Sequence, residues 1–162
     1  EYPGYGLRAP ETTTPQKCVQ TATDIITAVA RMYINEPLFV VGRSIGTGIA
    51  AQALIMSDAP NIEGLVLISP FSSVRELAAE KVPVLGQFLV PNHLLNTSDA
   101  LSRIKASTRV TIIHGVDDTL IPFYHAQRLK AGRPSADLFS LEGGHNDLCV
   151  ERLLQIVTDQ TS

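Results

Sequence analysis

The sequence predicts an α/β domain, a mostly parallel sheet flanked by helices. Three observations carry that reading. The strand candidates are short and continuously apolar, as strands covered on both faces are. Segments with apolar residues at helical spacing alternate with them. One strand also runs straight into a helix through Gly42-Arg43-Ser44-Ile45-Gly46, a tight turn suited to the carboxyl edge of such a sheet, where active sites collect.

Residues 1–13 are rich in Gly, Pro and Thr and read as a loop. Thr14 followed by Pro15 marks a helix start, with proline at the first helical position. Val19, Ala22, Ile25, Ile26, Val29 and Tyr33 then share one helical face, and Asn35 and Pro37 end it. Leu38–Val41 is the first strand, and residues 46–57 the next helix. Asn61 and Gly64 bracket a turn into the second strand, Leu65–Ile68. Residues 70–108 carry no strand signal and read as a lid-like insertion within one domain spanning 1–162. In it, Ser73-x-x-Glu76 is a capping box for a helix to about Lys81. A short helix follows from about Ser98 to Lys105. Arg109–His114 is the third strand and Ala136–Leu141 the fourth, with a helix over Pro122–Ala131 between them. Leu148, Val150, Leu153, Leu154 and Val157 give a last amphipathic helix.

The totals fit one core: 162 residues, 44% hydrophobic and 18% charged. A net charge of −3 argues against nucleic acid as a partner. No apolar run is long enough to span a membrane as a helix. Cys18 and Cys149 lack metal-ligand spacing and read as separate reduced thiols on helices. A cytoplasmic or peripheral membrane setting fits best, and the sequence fixes no compartment.

Chemistry concentrates at three loops. Gly-x-Ser-x-Gly between strand and helix is a nucleophile elbow. Its glycines at 42 and 46 are expected to relieve clashes in the turn, and Ser44 to stand out at the sheet edge. Chance alone yields the bare pattern in roughly 5% of chains this long, so the flanking strand and helix carry the weight. A serine hydroxyl needs a base and a group that orients the base. The chain supplies both in the order Ser, Asp, His, each after a strand. Asp117-Asp118 follows the third strand and Gly143-Gly144-His145 the fourth. The residues leave Asp117 and Asp118 in competition, the loser taking a turn or cap role. His114 reads as structural, bonding loop backbone. His125 reads as exposed on its helix, and His93 lacks an acid at suitable spacing. The Ile45 N–H is the expected oxyanion donor, while no strand within residues 1–37 supplies a second. No metal or organic cofactor is implied.

These residues resemble the α/β-hydrolase superfamily, and within it the branch of serine aminopeptidase-like hydrolases and protein depalmitoylases. The likeness lies in Tyr2-Pro-Gly-Tyr-Gly6, Gly42-Arg-Ser-Ile-Gly-Thr-Gly48, Leu67-Ile-Ser-Pro-Phe-Ser-Ser73, His114-Gly-x-x-Asp118 and Gly144-His145-Asn-Asp147. It implies Ser44 as nucleophile, Asp118 as orienting acid and His145 as base. It further implies cleavage of an ester, thioester or peptide bond in a small-molecule, lipid-acyl or peptide substrate. Typical members carry four earlier strands. The resemblance therefore implies a fold lacking its first strands and a chain continuous with missing N-terminal residues, so that these 162 residues need not be active alone. Val82, Leu85, Phe88, Leu89 and Leu94 either line an acyl-chain pocket or pack onto the sheet. Arg43 meets a substrate carboxylate or has an ordinary surface role. Asn96-Thr97-Ser98 is a helix cap rather than a glycosylation site. The rival reading is a non-catalytic binding or scaffolding module on the same fold. A nucleotide-binding domain is disfavoured, because no Gly-x-Gly-x-x-Gly follows a first strand and the elbow has no Lys.

Overall fold

A computed structural model describes residues 1–81 and 94–161. Among them, four strands form one sheet: β1 (Leu38–Arg43), β2 (Ile62–Ile68), β3 (Arg109–Gly115) and β4 (Asp137–Leu141). Their order is β1-β2-β3-β4 and every pairing is parallel. All four carboxyl ends therefore open on one rim. Among the described residues six α-helices accompany them: α1 (Pro15–Met32), α2 (Ile45–Met56), α3 (Val74–Lys81), α4 (Thr97–Arg103), α5 (Tyr124–Gly132) and α6 (Val150–Thr161).

Alternation along the strands explains the two covered faces. Leu65, Leu67, Val110 and Ile112 pack with Ala50 and Ala51 of α2, Leu101 of α4 and Leu129 of α5. Val66, Ile68 and Ile113 point the other way, onto Leu148 just ahead of α6 and Ile156 within it. Burying each large apolar side chain so completely contributes about 1.5–3 kcal/mol. A third cluster joins Cys18 and Val19 of α1 to Ile49 and Ala53 of α2 and to Phe71.

Capping follows the sequence closely. Thr14 caps α1 by accepting the Lys17 N–H at 3.2 Å, and Asn96 caps α4 by accepting from Asp99 at 2.9 Å. Ser73 accepts the Glu76 N–H at 3.1 Å. The Glu76 carboxylate instead takes the Ser72 hydroxyl, so only half of the capping box forms.

Three expectations need correction. Residues 61–64 are not a turn, since β2 begins at Ile62. Gly64 lies inside the strand, where an added Cβ would come within 2.5 Å of the Phe39 ring. Asn61 instead ties the α1–β1 connection, donating to the Tyr33 and Glu36 carbonyls at 2.7 and 2.8 Å. His125 is fully buried rather than exposed. It stacks on Tyr124 at 4.5 Å, accepts the Ser72 N–H at Nδ1 (3.3 Å) and faces Glu80 with Nε2 at 3.1 Å. The bond at Nδ1 ties the buried ring to the chain before α3, and the approach of Glu80 to Nε2, which makes no hydrogen bond, sets α5 against α3. Cys149 is a free, exposed thiol one residue before α6, not within it.

The insertion is partly core. Ser73 and Asn96 form an isolated antiparallel bridge, and Leu95, Ala100, Leu101 and Ile104 are buried. Val82, Leu85, Phe88, Leu89 and His93 lie outside the described residues. Leu94 borders a groove of about 220 Å³ with Pro15, Val19 and Met56. Arg133, almost fully buried, closes the α4–β3 connection. Its guanidinium donates to the carbonyls of Leu101, Ile104, Lys105 and Thr108 at 2.8–3.0 Å, and burial lowers its pKa. Among the described residues the outer edge of β1 has no strand partner. It borders a groove of about 450 Å³, lined in part by Ile25, Ile26 and Val41.

Candidate active site

The rim above β1, β3 and β4 brings together the three side chains expected there. Ser44 follows β1 directly and caps α2 in a left-handed backbone conformation, φ 52° and ψ −123°. Such a conformation costs a non-glycine residue on the order of 1–3 kcal/mol and persists only where its surroundings enforce it. The Ser44 N–H bonds to the Ile68 carbonyl at 2.9 Å, and Thr47 returns its N–H to the Ser44 carbonyl at 2.9 Å. The turn is thus clamped on both sides.

The two elbow glycines differ. A Cβ on Gly42 would meet the Gly46 carbonyl oxygen at 2.6 Å and the Thr47 Cα at 2.9 Å. Both are backbone atoms, so the position requires glycine. A Cβ on Gly46 would meet nothing within 4 Å among the described residues. The expected clash at 46 is absent because the first turn of α2 faces the open groove beside β1.

The imidazole of His145 sits between the other two groups. Its Nδ1 lies 2.7 Å from Asp118 Oδ2 and its Nε2 lies 2.8 Å from Ser44 Oγ. An ionised carboxylate only accepts, so Nδ1 carries the proton and donates it to Asp118. In the neutral ring Nε2 then offers a lone pair to the serine hydroxyl.

Asp118, and not Asp117, is the acid that faces the imidazole. Its Oδ1 also accepts the N–H groups of Leu120 and Ile121 at 2.9 and 2.8 Å. The turn role expected of the losing aspartate therefore falls to the winning one. Asp117 instead accepts the Gly143 N–H at 3.4 Å and joins the two loops. Burial pushes the Asp118 carboxyl up, but the Ile121 N–H, His145 and the Leu120 N–H outweigh it. The carboxyl titrates below its ordinary value. His114 is structural, as expected. Its Nε2–H donates to the Ile121 carbonyl at 2.8 Å, and burial, ahead of all other causes, lowers its pKa.

Ile45 opens α2, so its N–H has no partner within the helix and points out at the helix end that favours negative charge. Among the described residues no strand precedes β1 to offer a second such donor. Arg43 is an exposed residue with a contact inside the chain beyond the roles expected for it. Its Nη2 donates to the His145 carbonyl at 2.9 Å and to Asn146 Oδ1 at 3.1 Å. Nothing periodic in the sequence signals that contact, which spans about a hundred residues. Among the described residues no group of His, Cys, Asp and Glu is arranged to hold a metal ion. None of the described helices is long and apolar enough to cross a membrane.

A parallel sheet between helical layers, with a strained serine turn at its carboxyl rim, defines an α/β hydrolase. Residues 2–109 match the family described as "Serine aminopeptidase, S33", and the chain belongs to that family. Among solved structures, it resembles an α/β hydrolase enzyme from the metagenome of lagoon sediments at Mar Chica, Morocco. That match has a TM-score of 0.62 and 22% identity, over 87% of this chain and 68% of the other. The monoacylglycerol lipase of Paleococcus ferrophilus matches with a TM-score of 0.58 and 16% identity, over 88% and 75%. An uncharacterized membrane protein of Saccharomyces cerevisiae is 25% identical over 118 residues, 70% of this chain. The chain spans 41% of the length of that curated relative.

Proposed function

We propose that the protein is a serine hydrolase that cleaves an ester, thioester or peptide bond through an acyl-enzyme. One observation carries the reading. The Ser44 hydroxyl, the His145 imidazole and the Asp118 carboxylate form an unbroken hydrogen-bonded chain, at 2.8 and 2.7 Å, on a strained turn at a helix N-terminus. Ser44 Oγ attacks the acyl carbon as His145 Nε2 takes its proton. Asp118 fixes the tautomer and stabilises the imidazolium. The imidazolium gives that proton to the leaving group as the tetrahedral intermediate collapses. Water, deprotonated by the same nitrogen, then releases the acid and restores the Ser44 hydroxyl.

The Ile45 N–H stabilises the oxyanion, and one such donor is worth about 3 kcal/mol of barrier. Small-molecule, lipid-acyl and peptide substrates all suit this chemistry.

A fluorophosphonate probe tests the reading, because it phosphonylates only an activated serine. The full-length protein should be labelled at Ser44, located by mass spectrometry of the tryptic peptide, and Ser44→Ala should not be. Equal labelling of the two proteins would refute the assignment.

A further inference from the structure

We infer that Arg43 is a positioning residue for the His145 loop, and that it matters most once Ser44 is acylated. The inference rests on the proposed roles of Ser44 and His145. The loop from Gly143 to Asp147 is largely closed on itself. The Gly144 N–H donates to Asp147 Oδ1 at 2.6 Å, and Gly143 turns at φ 106°. Its first residue docks on the neighbouring loop, where the Asp117 N–H donates to the Gly143 carbonyl at 3.2 Å. At His145 and Asn146 the hold comes from elsewhere. Arg43, the last residue of β1 and one peptide before Ser44, reaches across with both bonds from Nη2. The segment that carries the hydroxyl therefore also grips the main chain behind the imidazole.

That grip has a distinct place in the cycle. In the free protein the imidazole is located by two bonds of its own, to Asp118 and to Ser44. On acylation Ser44 Oγ becomes the ester oxygen and has no proton to share, so the second bond is gone. The ring must then hold a water in line with the acyl carbon using only Asp118 and its own backbone. Arg43 fixes that backbone. Small displacements of a general base carry large rate penalties. Loss of Arg43 should therefore slow deacylation more than acylation.

The test uses p-nitrophenyl butyrate, whose leaving group departs without needing a proton, so that hydrolysis of the butyryl-enzyme sets kcat. In Arg43→Ala, kcat should fall on the order of tenfold while KM falls with it, leaving kcat/KM within about threefold of wild type. The pre-steady-state burst of p-nitrophenol should persist and the steady state after it should slow. Arg43→Lys, which keeps the cation and one donor at a time, should recover part of kcat. An unchanged kcat in Arg43→Ala overturns the inference. So does a raised KM with unchanged kcat, which would mark Arg43 as a substrate contact. Fluorophosphonate labelling of Ser44 in wild type, and its loss in Ser44→Ala, is run alongside. If that control fails, the enzymatic reading itself falls. If it holds and the kinetic split is missing, only the role of Arg43 falls.

Discussion

Replacing Asp118 with Asn separates the chemical duty of this side chain from its structural one. Oδ1 accepts two backbone N–H groups, from Leu120 and Ile121. Oδ2 meets His145 Nδ1. An asparagine keeps an oxygen for the two N–H groups and turns its amide toward the imidazole. That amide donates, so it pairs with an unprotonated Nδ1 and drives the proton to Nε2. The ring then presents a proton, not a lone pair, to Ser44. In comparable geometry this wrong tautomer costs on the order of 10⁴-fold in kcat. The fold should lose under about 1 kcal/mol, because the turn remains capped. Asp118→Ala removes both functions. It strands two N–H groups at about 1–3 kcal/mol each, which lowers Tm by about 4–24 °C in a chain of this size. Hydrolysis of p-nitrophenyl butyrate, thermal melts and the histidine ¹⁵N shifts of His145 give the three readouts. The reasoning fails if Asp118→Asn keeps activity within tenfold of wild type, or if its ring nitrogens report the original tautomer. It fails equally if Asn and Ala destabilise alike.

Two further outcomes follow from the fold. Gly42→Ala forces a Cβ against the Gly46 carbonyl and the Thr47 Cα, so it should cost at least about 1–3 kcal/mol and much of the Ser44 labelling. Gly46→Ala, with open space around it among the described residues, should be neutral or stabilising by about 0.4–1 kcal/mol in urea unfolding; equal losses at both positions would contradict this account of the turn. Stability should also fall with acidification. Burial keeps His114 neutral in the folded state, so the unfolded chain takes up its proton first, near the ordinary histidine value of about 6.5. Urea midpoints should drop below that pH with a contribution of up to about 1.4 kcal/mol per pH unit from this ring. Asp118, held below its ordinary value, adds a second decline only below about pH 4. His114→Gln should flatten the first decline, and an unaltered slope would show that another group carries it.

What the sequence revealed and what it hid divide along physical lines. Strands covered on both faces advertise themselves as unbroken apolar runs, and β1, β3 and β4 fell within two residues of their expected bounds. Caps are local, so Thr14 and Asn96 were legible from their neighbours. His125 was misread because its polarity was weighed above its spacing. It shares a helical face with Leu129, and that face is buried. Gly46 was misread because a motif says which residues recur, not which of them meets an obstruction. The Arg43 contact was unreadable, since its acceptors are a main-chain carbonyl and an amide about a hundred residues away.

The choice between Asp117 and Asp118 shows why site geometry is partly local after all. Side chain–backbone bonds to the second and third residues ahead form a compact turn that Asp favours on its own. Asp118 forms that turn with Leu120 and Ile121, which spends one carboxylate oxygen and fixes the direction of the other. The other oxygen then faces His145 at 2.7 Å, with His114 Nε2 as a second neighbour at 3.3 Å. The N–H donors that lower the acid's pKa are the same ones that aim it. A cap that looks purely structural thus contributes, with His145, to the charge of the acid and sets its orientation, and the proposed mechanism calls on both when the imidazole withdraws a proton from Ser44.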